Sequence, residues 1–229
     1  MNATLKLGDV IEWDIPNWSV ALSYWVRRTA HELSSIHALE IGARNGGLSL
    51  WAAWHGMHVV CTDLSGPSQA AIDKHQQYGV SQLVRYEQLN ALDIPYSEAF
   101  DVVLFKSVLG GIGRGDHREN QRKAIHEIYK SLRQGGELWF AENLTASPVH
   151  QFLRRRYVEW GDKWRYVTIQ DMKEFLSVFP AVEYTTVGFL GTLGRNSFQR
   201  LVLGTLDRMG VDRVVGESWR YIIIGIARK

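Results

Sequence analysis

Several features that would assign this chain of 229 residues to a special class are scarce or missing. Its one cysteine, Cys61, cannot form an internal disulfide, which excludes an oxidised secreted scaffold. Its 26 basic and 24 acidic residues leave a net charge of only +2, so nucleic acid is not a favoured partner. No apolar run approaches the roughly 20 residues of a membrane helix, and the N-terminal stretch lacks the apolar core of a signal peptide. We therefore expect a cytoplasmic protein without a membrane span.

Strand-like and helix-like patterns alternate along the chain, and no repeat or linker divides it. The predicted strands cover residues 37–41, 57–62, 83–88, 101–105, 137–141, 182–187 and 220–227. The predicted helices cover residues 16–35, 46–55, 67–78, 118–132, 168–179 and 197–209. This alternation predicts an α/β fold, a doubly wound and mainly parallel sheet with helices on both faces.

The helix predicted over 197–209 has apolar residues at helical spacing. These are Phe198, Leu201, Val202 and Leu206. Such a stripe predicts a helix face that packs against the core.

The first predicted strand runs into a glycine-containing turn, Ala-Leu-Glu-Ile-Gly-Ala-Arg-Asn-Gly-Gly over 38–47. Glycines let the backbone approach a ligand, and the helix that follows offers unpaired N–H groups. Here the chain resembles the class I S-adenosylmethionine-dependent methyltransferases, whose first motif is an acidic residue, one residue, then Gly-x-x-x-Gly. The resemblance implies that Glu40 holds the ammonium end of the methionine moiety and that Gly42, Ala43 and Gly46 wrap it. Arg44 replaces a common glycine, and it either reaches the cofactor carboxylate or points to solvent.

The second predicted strand ends in Asp63, which lies 21 residues after Gly42. A carboxylate at this strand end can accept hydrogen bonds from both ribose hydroxyls, although capping of the next helix is an alternative role. After the third strand, the family resemblance implies that Asn90 contacts the adenine amino group and that the Ala91 backbone contacts a ring nitrogen. We include the neighbouring Leu64 and Leu92 in this predicted cofactor site.

Two later segments extend the resemblance over residues 36–142. The fourth strand resembles the one whose end passes beneath the methionine, where Lys106 would contribute its carbonyl. Residues 132–142 resemble the Leu-x-x-Gly-Gly turn and fifth strand of the family. The resemblance implies a seven-stranded sheet in the order 3-2-1-4-5-7-6 with the last strand antiparallel. In this single domain, residues 1–35 would form a helical lid, 36–142 the cofactor-binding half and 143–229 the acceptor-side half.

Three other functions remain open at this point. A nicotinamide-dependent oxidoreductase would also need a glycine-rich turn and a later acid, but residues 42–47 do not supply Gly-x-Gly-x-x-Gly. A noncatalytic module could keep the fold, and an RNA methyltransferase could keep the cofactor. We favour S-adenosylmethionine as cofactor. We favour a small molecule or sugar hydroxyl as acceptor, because no Asn-Pro-Pro-Tyr-like segment follows the fourth strand, and this absence argues against methylation of an amino group of adenine or glutamine. No metal site is expected, and the oligomeric state is left open.

In-line methyl transfer needs an oriented acceptor and a base for the departing proton. The candidates on loops at the expected acceptor edge are Asp116, His117, Glu142 and His150. Alternatively, Asp116 caps a helix, Glu142 is a structural acid, and His150 lies on an exposed turn.

Cations and aromatic rings interleave after the fifth strand. They are Arg154, Arg155, Arg156, Tyr157, Trp160, Trp164, Arg165 and Tyr166. Such a run can hold an acidic or sugar-like acceptor, stack on RNA, or form a solvated helix face. We expect Trp160 and Trp164 to form a lid together with Trp13, Trp18 and Trp25. Burial against the core is the alternative for any one of these tryptophans.

Overall fold

The computed structural model describes residues 4–157 and 163–229. Its strands are β1 (His37–Ile41), β2 (His58–Asp63), β3 (Val84–Gln88), β4 (Phe100–Lys106), β5 (Leu132–Asn143), β6 (Ala181–Val187) and β7 (Ile222–Arg228). The α-helices are α1 (Leu7–Val10), α2 (Ile15–Trp18), α3 (Val20–Arg28), α4 (Gly47–Trp54), α5 (Gln69–Gln77), α6 (Leu109–Ile112), α7 (Arg118–Ser131), α8 (Pro148–Tyr157), α9 (Ile169–Phe175), α10 (Ser197–Leu206) and α11 (Asp212–Val214). A π-helical turn, Asp207–Val211, joins the last two.

The seven strands form one sheet in the order β3-β2-β1-β4-β5-β7-β6. β1 pairs in parallel with β2 and β4, whereas β7 pairs antiparallel with both β5 and β6. Both the predicted order and the antiparallel last strand are confirmed. Because the carboxyl ends of β1, β2, β4 and β5 meet at one edge, the loops that follow these strands share that edge.

Two hydrophobic cores lie on opposite faces of the sheet, because successive side chains of a strand point to opposite sides. In β4, for example, Leu104 belongs to one core, while Val103 and Phe105 belong to the other. Cys61 is fully buried in the core that contains Leu104.

The helix predicted over 16–35 is shorter than expected and packs on the sheet. It is split into α2 and α3, and it ends at Arg28. Trp25 of α3 forms a cluster with Trp51 and Trp139, at ring-centroid distances of 6.1 and 6.0 Å. Its Nε1 donates to the Gly225 carbonyl at 3.1 Å. Trp25 is therefore a core residue, and its predicted place in a lid is wrong.

The prediction that the apolar stripe of the 197–209 helix packs against the core is also wrong. Helix α10 exposes that stripe, with Phe198 72% exposed. Its buried side carries Gly204, where an added Cβ would lie 2.6 Å from Asp14 Oδ1. Asp207, fully buried just after α10, accepts hydrogen bonds from the Asn17 amide and from the backbone N–H groups of Leu190 and Gly191. A polar anchor, rather than the apolar stripe, therefore sets the orientation of this helix.

Trp25→Ala tests the packing of α3. We expect a loss of about 3–5 kcal/mol in the free energy of unfolding, because the substitution leaves a cavity beside two buried indoles and removes a buried hydrogen bond. Urea denaturation followed by circular dichroism measures it. Trp219→Ala is the matched control, since Trp219 is 51% exposed and its loss should cost much less. Equal losses for the two variants would contradict this account of α3.

Candidate cofactor and acceptor site

The turn between β1 and α4 depends on two glycines. Both Gly42 and Gly46 have φ of 68°, and Arg44 between them has φ of 50°. An added Cβ at Gly42 would lie 2.7 Å from Val108 Cγ2, and one at Gly46 would lie 2.8 Å from His75. Conformation and space therefore both require glycine, and the turn brings bare backbone to the carboxyl end of β1.

His75 supports this turn from beneath. It is fully buried on α5, its Nε2 lies 2.8 Å from the Gly46 carbonyl, and its Nδ1 lies 2.9 Å from the Tyr86 hydroxyl. Burial lowers the pKa of His75, so the neutral ring donates from Nε2 and accepts at Nδ1. No sequence pattern marks His75, because it lies on a helix outside every motif and only the tertiary fold brings it to the turn.

Glu40 lies in β1 beneath the start of α4. Its Oε2 accepts hydrogen bonds from the backbone N–H of Ser49, at 2.8 Å, and from the Ser49 hydroxyl. Burial raises the pKa of the Glu40 carboxyl to about 7. Within the described residues, Oε1 makes no hydrogen bond, and it is not sealed from solvent. One oxygen thus supports the fold, and the other is free for a cationic ligand group.

Asp63 ends β2 beside the glycine turn. Its Oδ2 accepts the backbone N–H of Arg44 at 3.0 Å. Helix α5 is capped by the Ser68 side chain, so the alternative role of Asp63 as a helix cap is wrong. The neighbouring Leu64 is 65% exposed, which leaves an apolar surface next to the carboxylate.

The Arg44 side chain is 77% exposed and pairs with Glu12, with 3.4 Å between Nη1 and Oε2. Glu12 also accepts a hydrogen bond from the Asn45 side chain. Arg44 is therefore directed to the N-terminal segment that covers the turn.

The predicted adenine loop follows β3. Asn90 is exposed, and its Oδ1 accepts the Leu92 N–H at 3.0 Å, which stabilises the turn. Ala91 is buried and Leu92 is half-buried. The Asn90 amide NH₂ group and the second lone pair of its oxygen remain available to a ligand.

Lys106 directs its side chain, as well as its backbone, toward the site at the end of β4. Its Nζ lies 5.0 Å from the centroid of the buried Trp18 ring. It forms no ion pair or hydrogen bond with the described residues, and burial lowers the pKa of this amine. The nearby carboxylates of Glu40 and Glu142 act in the opposite direction. The family resemblance implies a role for the Lys106 carbonyl alone, and the sequence does not predict the side-chain direction, because this direction depends on neighbouring elements.

Two of the four predicted acceptor-side residues are fully engaged inside the protein. Glu142 accepts the backbone N–H groups of Val108 and Leu109, both at 2.7 Å, and that of Asn143 at 2.8 Å. His150 has its Nδ1 2.6 Å from the Ser147 hydroxyl and its Nε2 2.8 Å from the Phe189 carbonyl. The structural alternative fits Glu142. The buried His150 occupies neither an exposed turn nor a position from which it could deprotonate an acceptor.

The other two candidates lie exposed in the loop between α6 and α7. The Asp116 carboxylate pairs with Arg165, with 3.0 Å between Oδ1 and Nε. It does not cap α7, because the N-cap residue of that helix is His117. The His117 ring makes no hydrogen bond with any described residue. Of the four predicted residues, His117 alone is both exposed and free of side-chain contacts that would occupy it.

Part of the predicted run of cations and rings lines a cleft of about 290 Å³ beyond the end of β5. Arg154, only 7% exposed, donates from Nη1 to the Leu144 carbonyl at 2.6 Å, and its guanidinium lies 4.1 Å from the Tyr166 centroid. Its other nitrogens make no hydrogen bond with the described residues. Trp164 packs over Gly110, where an added Cβ would overlap its indole. Trp160 lies outside the described residues, so its predicted place in the lid is untested.

Two kinds of feature are absent from residues 4–157 and 163–229. No three His, Cys, Asp or Glu side chains are grouped to hold a metal ion. In the same residues, no helix has the length and apolar character needed to cross a bilayer.

Comparisons with known proteins agree with this geometry. A family model described as a methyltransferase domain matches residues 39–140. No curated protein sequence matches the chain. Among similar solved structures, MccD protein has a TM-score of 0.64 and 16% sequence identity, over 92% of this chain and 96% of that one. The [4+2]-cyclase SpnF has a TM-score of 0.60 and 17% identity, over 92% of this chain and 80% of that one. Phosphoethanolamine N-methyltransferase 2 of Haemonchus contortus, solved in complex with phosphomonomethylethanolamine and S-adenosylhomocysteine, has a TM-score of 0.64 and 16% identity, over 93% of this chain and 53% of that one.

At these identities the solved structures establish the fold alone, and one of them is named for a different reaction. The family match adds the motif-bearing strands and turns from β1 to β5. The methyltransferase domain model thus matches residues 39–140, and the chain has the fold of the class I S-adenosylmethionine-dependent methyltransferases.

Proposed function

We propose that this protein is an S-adenosylmethionine-dependent methyltransferase that acts on a small molecule or a sugar hydroxyl. The observation that carries the proposal is the grouping of Glu40, Asp63 and the Gly42–Gly46 turn at one edge of the sheet. Hydrogen bonds tie this group together, since the Asp63 carboxylate accepts the Arg44 N–H and the Glu40 carboxylate accepts the Ser49 N–H. When bound there, the cofactor supplies a methyl group on a sulfonium.

The unsatisfied groups of the site fit the chemistry of that cofactor. The free Oε1 of Glu40 suits the ammonium of the methionine moiety, and the unpaired Nζ of Lys106 suits its carboxylate. Asp63 suits the ribose hydroxyls, and the exposed Leu64 offers apolar contact to the adenine. The Asn90–Leu92 turn would bind the adenine edge. Because Arg44 is paired with Glu12, we assign the carboxylate to Lys106 instead.

The acceptor would enter beside the ends of β4 and β5. These ends are tied together by the Asn143 amide, which donates to the Ser107 hydroxyl at 2.6 Å. The cleft that contains Arg154 opens just beyond them and would orient an acceptor that carries a negative or polar group. His117 is the proposed base, because its ring is exposed and unoccupied at the same edge.

Asp63→Ala and Asp63→Asn test the cofactor site. Loss of charge-assisted hydrogen bonds, each of about 1.5–3 kcal/mol, should weaken S-adenosylhomocysteine binding by roughly tenfold or more in both variants. Asparagine can still accept the Arg44 N–H, so this variant separates ligand contact from support of the turn. Titration calorimetry measures the affinities, with Asp73→Ala on α5 as the control. Unchanged affinity in the Asp63 variants, or no binding by the wild type, would overturn the proposal.

The raised pKa of Glu40 predicts that S-adenosylhomocysteine binding depends on pH. Since burial raises the pKa of Glu40 to about 7, roughly half of this carboxyl is protonated at pH 7. An ammonium group binds the ionised form, so binding should release about half a proton at pH 7 and should strengthen from pH 6 to pH 7. Calorimetry in buffers of different ionisation enthalpy measures this release. The Glu40→Gln variant should bind S-adenosylhomocysteine more weakly and should no longer release this half proton. An unchanged proton release in this variant would mean that Glu40 does not contact the ligand.

His117→Ala tests the acceptor side. A base that removes the acceptor proton contributes roughly 10²–10⁴ in rate, so kcat should fall while S-adenosylhomocysteine affinity stays unchanged. The assay is transfer of a radiolabelled methyl group into small-molecule, glycan and RNA pools. His126→Ala, an exposed histidine of α7, is the matched control. Full activity of His117→Ala would exclude it as the base, and preferential labelling of RNA would overturn the proposed acceptor class.

A further inference from the structure

The cleft beyond the end of β5 carries more positive charge than its surroundings compensate. Its lining includes Arg154, Arg155 and Arg165, and no aspartate or glutamate of the described residues lines it. Arg165 is paired, since its Nε lies 3.0 Å from Asp116 Oδ1 and its Nη2 lies 3.6 Å from Asp171 Oδ1. Arg154 and Arg155 form no ion pair within residues 4–157 and 163–229. The cleft therefore has two positive charges without an acidic partner in these ranges.

The Arg154 guanidinium is fixed at the wall of this cleft. Arg154 is largely buried, and its Nη1 donates to the carbonyls of Leu144, at 2.6 Å, and of Thr145, at 3.3 Å. The guanidinium carbon lies 4.1 Å from the centroid of the Tyr166 ring. In contrast, Nε and Nη2 find no acceptor in the part of the chain that the structure describes. These two neighbouring nitrogens can bind both oxygens of one carboxylate or two oxygens of one phosphate.

Backbone hydrogen bonds place the cleft at the ends of two strands. The Thr145 N–H, two residues after β5, donates to the Val167 carbonyl at 2.9 Å and holds one wall of the cleft beside that strand. The Arg165 N–H donates to the Gly110 carbonyl of α6 at 3.1 Å, and α6 follows β4. The cleft thus lies where the segments after β4 and β5 meet, on the side from which the acceptor would enter.

Burial makes the charge of Arg154 costly when no anion is bound. Arginine stays protonated in proteins, so it cannot lose its charge as a buried lysine can. Burial lowers the pKa of the Arg154 guanidinium, because surroundings of low polarity disfavour the charged form. Two carbonyls and one aromatic ring replace only part of the lost hydration. A bound anion would supply the missing counter-charge, and it would offer acceptors to a side chain that has only donors.

We infer that this cleft binds a carboxylate or phosphate group of the methyl acceptor. The acceptor would then be an anionic small molecule, in which Arg154 and Arg155 hold the anionic group while a separate hydroxyl receives the methyl group. The volume of the cleft, about 290 Å³, suits a ligand of this size. The role in methyl transfer rests on the proposed function, whereas anion binding by the cleft does not.

Titration of the full chain with simple anions tests the cleft. Nitrogen-15 NMR of the Trp164 indole reports on it, because Trp164 lines the cleft, and the Trp164→Phe variant assigns the signal. At constant ionic strength, inorganic phosphate, acetate or both should shift this signal to saturation. Acetamide, the neutral counterpart of acetate, should bind at least roughly tenfold more weakly than the preferred anion. Saturation by one anion alone would show which group the cleft selects. No saturable shift with either anion, or equal binding of acetamide, would overturn the inference.

Neighbouring arginines of α8 separate local from general attraction. Arg154→Gln and Arg155→Gln should weaken anion binding by roughly fivefold or more. Arg156→Gln removes the same charge from a residue that does not line the cleft, and it should change the affinity by less than about twofold. Equal effects of Arg155→Gln and Arg156→Gln would mean that only net charge matters, and this would overturn the inference. Arg155 is exposed, so its variant provides the test even if Arg154→Gln does not fold, which circular dichroism monitors.

Two further measurements distinguish a failure of this inference from a failure of the proposed function. Binding of S-adenosylhomocysteine without anion binding would overturn the inference and leave the proposed function standing. Anion binding without S-adenosylhomocysteine binding would overturn the proposed function, and with it the role of the cleft in holding an acceptor. In the methyl-transfer screen, the labelled small molecule should bind an anion-exchange resin at neutral pH, because its anionic group is not methylated. A neutral labelled product would overturn the inference.

Discussion

Acidic side chains at the ends of parallel strands hold the functional edge of this protein together. A loop that leaves a strand end carries backbone N–H groups that lack partners, and each must be satisfied if it is buried. Asp63 at the end of β2 accepts the Arg44 N–H from the loop that follows β1, and Glu142 at the end of β5 accepts the N–H groups of Val108 and Leu109 after β4. In both cases the carboxylate of one strand fixes the loop of its neighbour. Strand pairing and loop anchoring therefore act together at this edge.

The acidic residues at this edge differ in how much hydrogen-bond acceptor capacity their carboxylate oxygens keep for a ligand. Glu142 gives both oxygens to backbone donors, so it supports the loop that contains Gly110 and Gly111. Glu40 anchors backbone with one oxygen, whereas Asp63 accepts the Arg44 N–H with Oδ2 at 3.0 Å and the Ser65 N–H with Oδ1 at 3.4 Å. Both carboxylates keep further acceptor capacity, because each carboxylate oxygen has two lone pairs. Burial raises the pKa of Glu40 and Glu142 alike, yet only Glu40 has an oxygen that can meet a ligand. A shifted pKa alone would not have distinguished the two.

The N-terminal segment has two roles, one in the core of the protein and one at the site. Trp25 completes the core beneath β5 and β7, whereas Trp18 lies against the Lys106 amine at the site. Between them, Asn17 and Asp207 connect this segment to the end of α10 through a buried hydrogen bond of 2.9 Å. The same segment therefore links the sheet, the site and α10. A substitution in this polar anchor would affect all three regions, because burial leaves its groups no alternative partner.

Local patterns in the sequence determined most of the secondary structure. Glycines and strand periodicity act through nearest neighbours, so the strands and the turn at Gly42 to Gly46 could be predicted from them. The strand order was implied by the family resemblance, and so were the roles predicted for the cofactor residues. Long-range packing decided the rest. The apolar stripe of α10 turns outward because a buried glycine and Asp207 occupy its inner side, and His75 reaches Gly46 only because α5 packs beneath the turn. Likewise, the direction of the Lys106 side chain and the burial of His150 depend on elements distant in sequence, whose positions the local pattern does not specify.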